Sequence, residues 1–388
     1  MNRRHALLAL APATTPLATT LAPPAHAQRG ADSGVGTDTL TLGTTAPFSG
    51  ALQEWGEEYQ RGADAYFSHL NAQGGVHGRR IAVEYLDDAY DARRTVQNTH
   101  TLVRQRGVFA LINLCGTANT EALLPELELL RVPVIGTASG SETVRAPAVR
   151  SRWLFHTRAG YAEETDKIAE FLATTGVRRI AIVHQANPLG LSGLASARQA
   201  LGRRGIEPVA VASVRTDASD VAAAVQAVAA ENPAVVVLVT AGIVSSRFIR
   251  AYQDTGAPTQ FFGLNIIGSK QLVADLGERV RGVMVSQVTP HPWTGAQAIS
   301  REYQRLMDRA GHRVWSFVSM EGFVNAKLAA LALQWAGPQP TRERFVAALE
   351  SAREIDLGGF VLRYTPQDHN GSRRVDLTIL DAKAGWLR

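Results

Sequence analysis

The chain predicts an α/β fold built as two doubly wound parallel-sheet lobes. Three observations predict it. Short apolar strand patterns alternate with amphipathic helix patterns over nearly the whole length, the signature of parallel sheets with crossover helices. Runs such as Val235–Val239 show no polar alternation, as a strand covered by helices on both faces should. The alternation runs over 38–157 and restarts over 158–288, and 388 residues exceed what one hydrophobic core holds.

In chain order, "TLTLGTTAP" (39–47) reads as the first strand, and the helix pattern beginning at Trp55 ends at Gly74-Gly75. "RRIAVEYLDD" (79–88) alternates as a strand, and the helix that follows stops at Gly107. Two strand-to-helix units come next, "VFALINLCGTANT" and "VPVIGTASGSE", and then "WLFHTR" (153–158). The second series repeats the rhythm through "RRIAIVHQ", "EPVAVASV", "AVVVLV" and "TQFFGL". The remainder, 289–388, holds two long helix patterns followed by "GGFVLRYTP" and "RRVDLTILD". It is too small to stand alone and is expected to cross back, completing lobe 1 and then lobe 2. The expected divisions are 1–27, a signal peptide; 28–157, the first part of lobe 1; 158–288, lobe 2; and 289–388, the crossing segment.

The N-terminal division has a basic start, "MNRRH", a weakly apolar stretch and "AHA" at 25–27, the order of an export signal, with cleavage expected after Ala27. Arg3-Arg4 leave Sec and twin-arginine export both open. Losing those two arginines lowers the formal charge from +5 to +3, too mild and dispersed to indicate nucleic acid. No later apolar run reaches membrane-spanning length, so the mature chain is expected to be soluble and exported. With Cys115 as the only cysteine, a disulfide framework and a lipid-anchored N-terminal cysteine are excluded.

The functional signal lies in the two small-residue turns, "CGTANT" and "GTASGSE". In doubly wound sheets ligands bind outside the carboxyl ends of strands, where helix N-termini favour anionic groups such as a carboxylate. Gly116 and Gly140 would let a ligand approach the backbone, and Thr117, Ser139 and Ser141 offer hydroxyls. The competing reading is capping: Ser139-x-x-Glu142 fits a capping box, and Thr117 or Asn119 can cap the next helix. Enzyme motifs are missing. "GTTAPFSG" is no dinucleotide fingerprint, no phosphate-binding P-loop or H-E-x-x-H occurs, and no base is placed to activate Ser139. No catalytic residue, metal or cofactor is expected, and His184 reads as a polar rim contact.

"LGTTAPFSGALQEWGEEYQRGADAYFSHLNAQGGVHGRRIAVEYLDDAYD" resembles the opening of type I periplasmic solute-binding proteins, more closely the leucine/isoleucine/valine-binding family that serves ABC importers. The resemblance continues through "VPVIGTASGSE", "RRIAIVHQANPLG", "SDVAAAVQAV" and "YTPQDHNGS" and covers nearly all of the mature chain. It implies two lobes joined by a multi-strand hinge, near 157, 288 and the C-terminal crossing, that close on a small solute and present it to a permease and its ATPase subunits. A free sensor of the same fold, passing its ligand state to a partner, is the alternative; with no membrane span or output domain in the sequence, a fused receptor is not expected.

Carried over residue by residue, the family's aromatic wall falls on Trp55. Its carboxylate-holding turn falls on Leu114, Cys115 and Gly116, with Thr117 next, and its second turn on Ala138, Ser139 and Gly140. In the second lobe the contacts fall on Leu189, on Ala241 or Gly242, and on Asn265 in place of the acid that pairs with an α-ammonium. Glu321 is a candidate replacement for that acid, or a solvent-exposed glutamate. Trp55 is a platform or ordinary core, and Cys115 is a buried small residue rather than a nucleophile. Because a buried ammonium without a carboxylate is costly, the expected solute is a small carboxylate- or amide-bearing molecule, amino acid-like or an aromatic acid. Aromatic and aliphatic carboxylates rank ahead of leucine.

Overall fold

The computed structural model describes residues 33–381 and 385–387. The export segment and the cleavage site after Ala27 lie outside the described residues. Lobe 1 begins with β1 (Thr39–Ala46), α1 (Gln53–Ala72), β2 (Arg80–Asp87) and α2 (Ala92–His100), which runs into a single π-turn at 101–105. It continues with β3 (Ala110–Cys115), α3 (Thr117–Leu130), β4 (Val134–Ala138), the one-turn α4 (Glu142–Arg145) and β5 (Leu154–Phe155). These strands form one parallel sheet in the order β2-β1-β3-β4-β5.

The second lobe holds α5 (Tyr161–Thr174), β6 (Ile180–Gln185), α6 (Pro188–Gly202), β7 (Ala210–Val214) and α7 (Val221–Ala230). After these come β8 (Val235–Val239), α8 (Ile243–Gln253), β9 (Gln260–Gly263), α9 (Ser269–Leu276) and β10 (Met284–Gln287). The chain then supplies α10 (Ala298–Arg309), α11 (Phe317–Ala336) and α12 (Arg342–Ser351), whose apolar faces join the core of lobe 1. A short hairpin, β11 (Ile355–Asp356) and β12 (Val361–Leu362), precedes β13 (Asp376–Asp381) and β14 (Gly385–Leu387). The second sheet reads β14-β13-β10-β9-β8-β6-β7. Its last two strands are antiparallel additions: β13 enters directly from the connecting stretch, with no crossover helix to return it parallel to β10.

Three stretches pass between the sheets, after β5, after β10 and after β12. The first and third are tied together. His156 donates its backbone N–H to His369 at 2.9 Å and accepts from the Gly371 N–H at 2.9 Å and the Tyr364 hydroxyl at 3.0 Å. Lobe 1 is further locked by α1 against α11, whose backbones meet at Gly62: a Cβ there would sit 1.9 Å from the Ser319 carbonyl oxygen. Only a residue without a side chain permits that contact. It places Tyr59 of α1 and Glu321 of α11 side by side at the carboxyl end of the sheet.

Candidate functional site

The carboxyl ends of β1, β3 and β4 carry a small apolar cluster distinct from the main cores. It comprises Ala46, Trp55, Tyr59, Cys115, Ala138 and Val318, with Phe48, Leu52 and Tyr90 packed against it. Trp55 therefore belongs to the wall at the strand ends, edge-on to Tyr59 with ring centroids 5.9 Å apart. Burial, followed by the Asp88 and Glu321 charges, pushes the Cys115 thiol well up, so it stays protonated and unreactive. Leu114 and Leu189 differ from this group: they pack in the cores of lobe 1 and lobe 2.

The two small-residue turns face each other. The Thr117 and Ser139 hydroxyls are fully buried and hydrogen-bond at 2.9 Å. Neither acts as a helix cap, which corrects the capping-box alternative. The N-cap of α4 is Ser141, whose Oγ accepts from the Thr143 N–H at 3.2 Å, and α3 is preceded by Gly116 with no side-chain cap. A second correction concerns the glycines. The space over Gly116 (φ +103°) holds the Tyr90 ring, 2.4 Å from where a Cβ would lie, and Gly140 is covered by Tyr161. The protein's own aromatics, rather than bare backbone, thus line both turns.

Beside the apolar cluster, Arg158 lies in the first connecting stretch and is fully buried. Its guanidinium is 3.5 Å from Glu164 of α5 and 3.5 Å from Glu321 of α11, and Nη2 donates to Asn265 Oδ1 at 2.9 Å. Burial works against the Arg158 charge, but Glu321 and then Glu164 more than offset it and its pKa rises. Burial raises both glutamates, with Arg158 opposing. A second buried cation, Arg145, donates Nη2 to the Arg158 carbonyl oxygen at 3.0 Å and also pulls the Glu321 pKa down, so Arg158 is not alone in facing the two carboxylates.

Several polar atoms here lack a hydrogen bond, although Arg158 Nη1 and Glu164 Oε1 take part in the ion pairs above. Arg158 Nε and Nη1, Glu164 Oε1, Glu321 Oε1 and the Tyr59 and Tyr161 hydroxyls are all buried without a hydrogen bond. Tyr59 lies beside Glu321, and Tyr161 beside Thr117, yet neither reaches hydrogen-bonding geometry. A buried polar group without a hydrogen bond costs about 1–3 kcal/mol, and these groups lie together around Arg158.

Glu321 is buried, which removes the reading of it as a solvent-exposed glutamate. Asn265 is occupied by the protein itself. Besides accepting from Arg158, it donates Nδ2 to Gln287 at 3.0 Å and its backbone N–H to Glu164 at 2.8 Å. The buried His184 ring contacts the Gln185 carbonyl at 3.2 Å, and burial lowers its pKa. Gln185 in turn accepts from the Ala241 N–H at 3.0 Å. Gly242 comes against lobe 1, a Cβ there lying 3.1 Å from Leu52 Cδ2. A polar contact also spans the lobes: fully buried Glu58 of α1 accepts from Lys270 of α9 at 2.9 Å and from Ser316 at 2.7 Å. Burial draws the Glu58 pKa upward, but these two bonds outweigh it and the net shift is down.

Sequence reasoning missed Arg158, Glu164, Tyr59, Tyr90 and Tyr161. A usable signal existed for Arg158, a charge closing the apolar run "WLFHTR" at a crossing between lobes. Among the described residues no group of His, Cys, Asp and Glu could hold a metal, and no helix is long and apolar enough to cross a membrane.

The periplasmic binding protein family model matches residues 39–385. The chain belongs to that family. A substrate-binding periplasmic protein from Ralstonia solanacearum has the same fold, with a TM-score of 0.83 at 30% identity, covering 89% of this chain and 99% of that one. A possible leucine/isoleucine/valine-binding protein from Rhodopirellula baltica SH 1 gives a TM-score of 0.83 at 25% identity, covering 90% and 96% of the two chains. An amino acid binding protein of Pseudomonas aeruginosa is 23% identical over 319 residues, 78% of this chain and 83% of its own. These are substrate-binding proteins, not enzymes, and the periplasmic binding protein reads accordingly as a two-lobed solute receptor of type I fold.

Proposed function

We propose that this periplasmic binding protein captures a small amino acid with an apolar side chain between its lobes and delivers it to an ABC permease and its ATPase subunits. The mature form, cleaved after Ala27, acts as a periplasmic monomer. The observation that carries the reading is Glu321 Oε1, an acceptor buried beside Arg158 without a hydrogen bond. An ammonium group gives that acceptor a charged donor. The solute carboxylate then falls to the opposing hydroxyls of Thr117 and Ser139, and its apolar part to the wall of Trp55, Cys115 and Ala138. Glu321 takes the place that the resemblance had assigned to Asn265, which moves a zwitterion ahead of a simple aromatic or aliphatic acid. Contacts from both walls favour the closed arrangement over an open one.

Titration calorimetry with leucine and its deaminated analogue 4-methylpentanoate tests the assignment. The wild-type protein should prefer leucine, and Glu321→Gln should weaken leucine about tenfold or more while leaving the analogue nearly unchanged. A wild-type preference for the analogue would return the site to the carboxylic-acid reading.

A further inference from the structure

Tyr161 is the first residue of α5, and it packs in the lobe 2 core with the cluster that holds Leu189 and Leu264. It also lies against lobe 1. Its backbone N–H donates to the Gly140 carbonyl at 2.7 Å. Tyr161 Cδ1, N and Cε1 come within 2.5, 2.7 and 2.8 Å of the point a Gly140 Cβ would occupy. Gly140 is not among the glycines with positive φ, so its backbone suits any residue, and it is Tyr161 that excludes a side chain there. The ring thus reaches from lobe 2 over the turn after β4, and its hydroxyl arrives beside Thr117 in the turn after β3. That hydroxyl is fully buried and makes no hydrogen bond.

A count of protons gives that hydroxyl a use. Thr117 and Ser139 each carry one hydroxyl proton, and the 2.9 Å bond between them consumes one of the two. The pair then has a single proton left for a carboxylate, whose two oxygens offer about four acceptor positions. The Tyr161 hydroxyl stands beside them with its own proton unspent, and burial, the first influence on its pKa, keeps it protonated. We propose that the Tyr161 hydroxyl binds the solute's carboxylate together with Thr117 and Ser139 and is a specificity-determining residue, setting the requirement for that carboxylate. This rests on the reading of the cleft as an amino acid site. Thr117 and Ser139 belong to lobe 1 and Tyr161 to lobe 2, so one carboxylate is held from both lobes. A carboxylate also ends the cost of a buried hydroxyl with no acceptor, through a bond about twice as strong as a neutral one. A tyrosine that served only to cover Gly140 would do so equally well without its hydroxyl.

The test compares the wild-type protein with Tyr161→Phe, which keeps the ring. Titration calorimetry takes whichever of alanine, valine, leucine and phenylalanine binds the wild type most tightly, and its amide, read by displacement of the amino acid where binding is weak. Tyr161→Phe should weaken the amino acid about tenfold or more, the scale of a hydrogen bond to a charged group, and the amide much less, so the preference for the acid narrows. Thermal melts without solute should show Tyr161→Phe at least as stable as the wild type, since the hydroxyl it removes is unbonded. An unchanged affinity for the amino acid overturns the role of Tyr161 while leaving the amino acid site standing. Equal weakening of acid and amide would show that the hydroxyl does not read the carboxylate and also overturn it. So would a variant that melts well below the wild type or fails to fold, because the hydroxyl would then be bonded within the protein. Failure of the folded wild-type protein to bind any of the four amino acids overturns the site reading and this inference with it.

Discussion

Arg158→Met is expected to destabilise the protein by about 3–5 kcal/mol, the usual cost of leaving a buried charge without its partner. Glu164 and Glu321 sit on opposite sides of the guanidinium, so its loss leaves two buried carboxylates facing one another. The neutral triple variant Arg158→Met, Glu164→Gln, Glu321→Gln should recover most of the loss, since similar-sized uncharged groups avoid the desolvation penalty. Urea denaturation at neutral pH reads both. The sign of the pH dependence is set by burial, which raises both glutamates. Protonated, they cost nothing to bury; ionised without Arg158, they oppose folding. The single variant should therefore lose stability as pH rises above the ordinary carboxylate range, more steeply than the wild-type protein, whereas the triple variant should not. A single variant as stable as wild type would mean that Arg158 contributes no more than volume.

The second large effect is on affinity. Glu54 lies on α1 where α9 of the other lobe covers it, and its pKa is pushed up to about 7, first by burial; Lys270 opposes, Glu58 adds to it, and the Gln271 N–H and Arg61 oppose. If α9 moves away when the lobes open, the open form returns Glu54 toward the ordinary glutamate range. Below that range the carboxyl is protonated in both forms and closure carries no penalty. As pH rises toward about 7, the open form ionises first, and closing must take up a proton. Solute affinity should accordingly fall about tenfold from about pH 5.5 to about pH 8.5, a figure reduced for the partial exposure of the group. Glu54→Gln should flatten the profile, and calorimetry in buffers of different ionisation enthalpy should record the proton uptake. A wild-type profile flat over that range, or one unchanged in Glu54→Gln, would show that α9 covers Glu54 in both forms.

Much of the architecture was legible because it depends on local pattern. The run Val235–Val239, which shows no polar alternation, sits as a fully buried internal strand between β6 and β9, and both small-residue turns end neighbouring strands of one sheet. The direction of β13 was not legible. A strand's pattern records which faces are buried, and the absence of a crossover helix is what turned it antiparallel. The polar centre was harder still. Arg158 reads as the polar end of an apolar run, and the groups that make it a buried hub come from α5, α11 and the residue after Leu264. Glu321 looked exposed because an isolated glutamate usually is; only the close approach of α1 and α11 at Gly62 buries it. The resemblance singled out Asn265 by position, but position carries no record of hydrogen bonds already spent on Arg158, Gln287 and Glu164. Tyr90 escaped notice for a similar reason, since nothing in "DDAYD" announces two left-handed residues in a row.

A crystal structure of the protein grown with its tightest-binding amino acid addresses the central claim most directly. The account predicts one intact molecule in the cleft, its carboxylate within hydrogen-bonding distance of Thr117 and Ser139 and its nitrogen on Glu321. A cleft left empty at saturating amino acid, or a molecule held with its nitrogen turned away from Glu321 and Arg158 left unsatisfied, would contradict it.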